Sequence, residues 1–191
     1  MTGVPSRGAV YVAVIGPGDD DDVTDEDTKN VTGEDTKIAR QVGSLLAGRD
    51  AIVVCGGLTG VMAAACEGAA GSHGLTVGLL PGRDRDAGNP HLSVVLPTGM
   101  GELRNGLVVG VCDVVIAIGG SWGTLSEIGL AVRSEKPVIL VGGWKVEDLP
   151  DQRAENLHRV DSAGQSIEDS AGQAVDMALR LAAVAKERGL P

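Results

Sequence analysis

The sequence predicts an α/β fold, a Rossmann-like, doubly wound, mainly parallel sheet with helices on both faces. Three observations carry this reading. Short Val/Ile-rich runs alternate with longer stretches of helical spacing. The short runs are almost continuously apolar, as in strands buried on both faces by crossover helices. Glycine makes up 29 of 191 residues, about twice the usual share, and clusters at the ends of the apolar runs, where strand-to-helix turns sit.

Residues 10–15 read as the first strand and 16–33 as a long polar loop. From 34 to 46, Ile38, Val42, Leu45 and Leu46 recur at helical spacing. Residues 51–55 form a second strand, ending in Gly56-Gly57. Gly60–Gly71 is an Ala-rich helix. Thr76–Leu80 is a strand stopped by Pro81-Gly82, and 83–90 a polar loop. Residues 92–96 form a short strand before Pro97, 101–111 a helix, and 113–118 the most apolar strand. A helix over 124–133 and a strand over 137–141 follow. Residues 144–165 are polar and irregular, and 167–188 close the chain as an amphipathic helix with Val175, Leu179, Ala182 and Ala183 on one face. No repeat or linker divides the chain, so residues 1–191 are expected to form a single nucleotide-binding domain.

Composition excludes several classes. Apolar residues reach 43% and the mean hydropathy is +0.12, too high for a disordered chain. With two Trp, one Tyr and no Phe, the core must come from Val, Leu, Ile and Ala. A net charge of −10 without basic clusters argues against nucleic acid as a partner. No apolar run reaches the ~18 residues that cross a bilayer, which argues against a membrane partner. The first residues lack the build of a signal peptide. Cys55, Cys66 and Cys112, odd in number and widely spaced, predict buried thiols in a reducing cytoplasm, with neither a disulfide nor a zinc site.

In such sheets ligands bind beyond the carboxyl ends of the strands, at the switch point. If the first strand and the 113–118 strand are central neighbours, three loops converge there. They are Gly16-Pro17-Gly18, Gly56-Gly57-Leu58-Thr59-Gly60, and Gly119-Gly120-Ser121-Trp122-Gly123-Thr124. The first is no dinucleotide fingerprint, because it lacks a third glycine and runs into Asp19–Asp22, which would repel a pyrophosphate. Those aspartates suit either a solvated loop or a hard cation such as Mg²⁺; no metal site is assigned. The other two are paired strand-to-helix turns, whose glycines let backbone N–H groups approach a phosphate at a helix start. Tight turns serving close packing are the alternative.

Gly119 to Gly123 also spells G-x-S-x-G, the nucleophile-elbow pattern with Ser121 as nucleophile. Only His158 follows it, with Asp148, Asp151 and Glu155 in the same irregular segment, a poor supply for a triad. Thr124-x-x-Glu127 has the form of a capping box. The functional alternative makes Glu127 a carboxylate facing the pocket, usable as a base or on ribose hydroxyls. Arg104 can hold a phosphate bidentately, or make a surface ion pair with Glu102.

The stretch from Arg104 to Glu127 resembles the LOG family of cytokinin riboside 5′-monophosphate phosphoribohydrolases, once labelled lysine decarboxylases. The family hallmark Pro-Gly-Gly-x-Gly-Thr-x-x-Glu is matched by Gly119-Gly120-Ser121-Trp122-Gly123-Thr124-Leu125-Ser126-Glu127. Arg104 and Glu127 fall on the family's catalytic arginine and glutamate, and Gly57 to Met62 is similar to its earlier Gly-rich segment. Gly119 replaces the hallmark proline, Ser121 its second glycine, and Asn105 the lysine after the arginine. With Leu80-Pro81-Gly82 and Asn89-Pro90, these departures resemble a sister branch that includes the molybdenum-cofactor carrier proteins.

The resemblance implies a phosphorylated small-molecule ligand, a nucleoside monophosphate or a molybdopterin-type cofactor, with hydrolysis of an N-glycosidic bond as the alternative function. It implies Arg104 and Glu127 as catalytic residues if there is catalysis. Gly16, Gly56, Gly57, Thr59, Gly60, Asn105 and Gly119 through Thr124 are the expected binding residues. Pyridoxal-type decarboxylation is rejected, since none of the five lysines lies in the three loops. A homodimer or homotetramer is expected, because the helices at Gly60–Gly71 and 101–111 are too apolar and small-residue-rich to face solvent.

Overall fold

The computed structural model describes residues 8–19, 31–143 and 155–187. Among these, seven strands form one parallel sheet in the order β4-β3-β2-β1-β5-β6-β7. They are β1 (Tyr11–Ile15), β2 (Ile52–Cys55), β3 (Thr76–Leu80), β4 (Val94–Pro97), β5 (Val114–Ile118), β6 (Val138–Val141) and β7 (Leu157–Val160). The helices are α1 (Gly33–Ala47), α2 (Gly60–Gly71), α3 (Asn105–Gly110), α4 (Trp122–Arg133) and α5 (Ile167–Glu187), with a 3₁₀ turn at Gly101–Arg104. The predicted α/β doubly wound fold is the one observed. β1 lies between β2 and β5, with Val12 opposite both Val53 and Val114, so the chain reverses its direction of travel across the sheet at this point.

Strand pleating sends alternate residues to opposite layers. Val12 and Val14 pack under α1, α2 and α5, whereas Ala13 and Ile15 pack under α3 and α4. Both faces of β5 are therefore covered, and all five of its residues are buried. Each buried Val or Ile contributes about 1.5–3 kcal/mol. The three cysteines are buried free thiols, and the Sγ atoms of Cys55 and Cys66 lie 3.5 Å apart.

Helix starts differ from the sequence reading where caps decide them. Thr32 caps α1: its hydroxyl accepts from the Asp35 N–H at 3.0 Å, and the Asp35 carboxylate accepts from the Thr32 N–H at 3.0 Å. α4 begins at Trp122, two residues before the predicted start, because the Ser121 hydroxyl accepts from the Thr124 N–H at 3.1 Å. The predicted 101–111 helix divides into the 3₁₀ turn and α3.

The expected amphipathic face of α5 is partly displaced. Ala171, Ala174, Val175, Ala178 and Ala182 are buried, while Ala183 faces solvent. The edge strand β4 starts two residues later than predicted and keeps Pro97 at its end, where no further ladder donor is needed. The polar segment expected after β6 contains β7, a correction: Leu-His-Arg-Val is an edge strand, half exposed, and needs no continuous apolar run. Asp20–Asp22 and residues 144–154 lie outside the described residues.

The composition of α2 also has a different cause from the expected one. Most of its small residues are buried within the chain, because α1 and α2 approach closely through Gly43 and Gly68. A Cβ on Gly43 would overlap the Ala65 carbonyl oxygen, and one on Gly68 the Arg40 carbonyl oxygen. The second helix expected to face a partner does present an apolar surface: Leu103 is 78% exposed, Leu107 37% and Val111 53%. Among the described residues no helix is long and apolar enough to cross a membrane.

Candidate functional site

The β1–β5 pairing brings the three glycine turns to one edge of the sheet. A hollow of about 400 Å³ opens between them. Nine of the fourteen predicted site residues line it: Gly16, Thr59, Arg104, Asn105, Ser121, Trp122, Gly123, Thr124 and Glu127.

The other five are turn and backing residues. Gly57 and Gly119 adopt φ of +78° and +69°, turning the chain out of β2 and β5. Gly60 lines a neighbouring hollow instead, and Gly120 follows the Gly119 turn, outside the lining. Gly56 has the Arg104 guanidinium against it, where a side chain would stand in the way. Gly18, Leu58, Met62 and Glu102 complete the wall, outside the predicted set. The signal for Met62 is its spacing: three residues after Thr59, it lies on the same side of the first turn of α2.

Arg104 ends the 3₁₀ turn and is 6% exposed, so it is no surface partner of Glu102. Its Nη1 lies 3.7 Å from Glu127 Oε1, and its Nε is buried with no hydrogen-bond partner among the described residues. An unmet guanidinium N–H is costly to bury, and a guanidinium that lines a hollow suits an anion there. Glu127 is equally buried. Burial pushes its carboxyl up to about 7, against the pull of Arg104 and with a further push from Glu102. Near neutral pH Glu127 is thus partly uncharged, and Arg104 keeps much of its charge uncompensated. The Asn105 amide donates to Glu102 and to Ser126, each at 3.4 Å, fixing the start of α3.

The capping-box reading of Thr124 and Glu127 is corrected by these contacts. Ser121 is the N-cap, and the Thr124 hydroxyl shares a hydrogen bond with the Ser121 Oγ at 2.9 Å. Glu127 falls on the second turn, beyond the N–H groups a cap serves, and turns inward to Arg104. Among the described residues, which leave out Asp148 and Asp151, the nucleophile-elbow alternative also lacks its partners. Ser121 is engaged as the cap, while His158 sits on β7 opposite Ile139 and near Arg180. The Gly123 N–H has no acceptor within its own helix and lies at the hollow's edge, where the α4 dipole favours negative charge. Among the described residues no cluster of three or more His, Cys, Asp or Glu could hold a metal ion.

Comparison with known proteins matches residues 9–173 to the SLOG cluster4 family. The chain belongs to that family. An uncharacterized protein of Archaeoglobus fulgidus is 35% identical over 149 residues, covering 75% of this chain and 91% of its own. Among solved structures, the molybdenum cofactor binding protein of the phototrophic bacterium Rippkaea orientalis superposes with a TM-score of 0.75. It shares 30% identity and covers 90% of this chain and 98% of its own. The molybdenum cofactor carrier protein of Chlamydomonas reinhardtii gives a TM-score of 0.73 at 27% identity, covering 90% and 99%. The LOG-like and carrier-like resemblance of the Arg104 to Glu127 stretch agrees with this SLOG cluster4 membership.

Proposed function

We propose that this SLOG cluster4 protein binds a phosphorylated small-molecule cofactor, of molybdopterin or nucleotide type, in the hollow at the end of β1 and β5, and acts as a carrier. One observation carries the reading: the buried Arg104, its Nε unpartnered among the described residues, faces a hollow bordered by the N-terminus of α4. The likeness to two molybdenum cofactor proteins supports the ligand class. Arg104 and the α4 backbone hold the phosphate, and Glu127 contacts the adjoining sugar or ring. Calorimetry tests this. AMP is expected to bind more tightly than adenosine, by the ~10–150-fold that a charge-assisted contact of about 1.5–3 kcal/mol gives. Arg104→Ala is expected to erase most of that difference. Equal affinities for AMP and adenosine would refute the phosphate assignment.

A second reading, hydrolysis of the N-glycosidic bond in a nucleoside 5′-monophosphate, is favoured by the Glu127 carboxyl titrating near neutrality. Release of free base by the wild type, lost in Glu127→Gln, would establish it over the carrier. The protein resides in the cytoplasm and assembles as a homodimer or a dimer of dimers through the exposed face of α3. Together with the 3₁₀ turn before α3 and the residue after it, that face carries Leu103, Leu107 and Val111 at every fourth position, with Leu130 of α4 exposed on the neighbouring helix.

A further inference from the structure

The Leu58–Thr59 turn is a ridge with a hollow on each side. The far hollow, about 500 Å³, lies between α1, α2 and the loop before β4. That volume is in the range of small-molecule sites. Its apolar surface comes from Leu58, Ala64 and Pro90, and its polar edge from Arg40, Glu67 and His91. Asn89 builds it in advance, donating from Nδ2 to the Leu58 carbonyl at 3.2 Å and from its backbone to the Gly57 carbonyl at 2.9 Å.

The charges of this hollow are wrong for a phosphate. Arg40 is paired with Glu67 at 2.6 Å, and Asp19 adds another negative charge. The hydrogen bond from Arg40, and His91 at longer range, hold the Glu67 carboxyl below its ordinary value, so it is an acceptor at neutral pH. Arg40 engages Oε2, and among the described residues Oε1 has no hydrogen-bond partner. A carboxylate beside a guanidinium, over an apolar floor, suits a flat ring that presents two adjacent N–H donors next to a carbonyl.

We propose that this second hollow seats the heterocycle of the phosphorylated ligand and selects a 2-amino-4-oxo pyrimidine edge, the edge shared by guanine and pterins. The proposal rests on the phosphate reading above, because the ligand is anchored at Arg104 and crosses the ridge at Thr59. Glu67 accepts from the ring N–H and the exocyclic amine, and Arg40 donates to the ring carbonyl. Adenine offers a ring acceptor where Glu67 needs a donor, so it binds more weakly.

Calorimetry with GMP, IMP, AMP, neopterin monophosphate and guanosine tests this. GMP is expected to bind about tenfold more tightly than AMP, equivalent to about 1.4 kcal/mol, with IMP between them. Glu67→Gln is expected to abolish the GMP-over-AMP advantage while keeping the preference of GMP over guanosine. The Arg40–Glu67 pair is about half exposed, so the variant is expected to fold and melt close to wild type. Whichever of GMP and neopterin monophosphate binds more tightly identifies the source of the ring. AMP equal to GMP in the wild type overturns the proposal, and so does a GMP advantage surviving Glu67→Gln. If GMP and guanosine bind alike, the phosphate reading itself has failed, and this inference with it.

Discussion

Glutamine at position 127 fixes the side chain in the uncharged form that the wild-type acid takes below neutral pH. In the unfolded chain Glu127 titrates near roughly 4.5, and in the folded protein burial raises it to about 7. Between those values the folded state holds one more proton than the unfolded state. Wild-type stability therefore falls as pH rises from ~4.5 to ~7, and is flat on either side as far as this group is concerned. Two and a half units correspond to about 3 kcal/mol. Glu127→Gln removes this dependence, and it leaves Arg104 facing the same neutral partner that it faces when the acid is protonated. The variant is expected to match wild type near pH 4.5. Near pH 8 it should exceed wild type by about 3 kcal/mol, or about 6–12 °C in Tm for a chain of this length. Urea melts from pH 4.5 to 8.5 measure it, and the difference between the two proteins cancels every other titrating group. Parallel curves for variant and wild type, or a variant less stable at pH 8, would show that Glu127 is charged in the folded protein and that Arg104 is compensated.

Two further outcomes follow from packing. Gly43→Ala should lower stability by about 1–3 kcal/mol or more in thermal melts, since its methyl would enter the Ala65 carbonyl; Gly172→Ala, on α5 with open space around it, should be neutral or stabilising by up to about 1 kcal/mol, and equal effects would refute the close-packing account. Light scattering should find wild type above its 19.4 kDa chain mass at micromolar concentration, and Leu107→Asp at that mass; a wild type of 19.4 kDa throughout dilution would refute assembly through α3.

The strands that carry the fold were legible because a strand buried on both faces has little room for polar residues. Val-Val-Ile-Ala-Ile of β5 is such a case. β7 was hidden by the same rule, because an edge strand can carry His158 and Arg159. The glycine turns pointed to one edge of the sheet, and nine of the fourteen predicted site residues do meet around one hollow there. What the turns could not announce was depth. The burial of Arg104 and Glu127 depends on how closely the 3₁₀ turn settles against Gly56, a contact between residues far apart in sequence. The Thr124–Glu127 spacing misled for a related reason: Ser121, Thr124 and Glu127 are all three apart, and only the observed start of α4 selects the pair that caps.

The placement of β1 at the middle of the sheet sets a schedule for synthesis. Its partner on one side, β2, follows soon after it, but its other edge waits for β5. The Tyr11 N–H reaches the Asp113 carboxylate, 102 residues later. At ribosomal rates of about 5–20 residues per second, that edge stays unpaired for about 5–20 s while α1, α2 and the strands beside them emerge. During this interval the nascent chain displays Val12 to Ile15 as an open apolar strand, the form most prone to pair with a neighbouring copy. A ribosome-associated chaperone holding the chain until β5 clears the tunnel would therefore guard the strand at whose carboxyl end the hollow later forms.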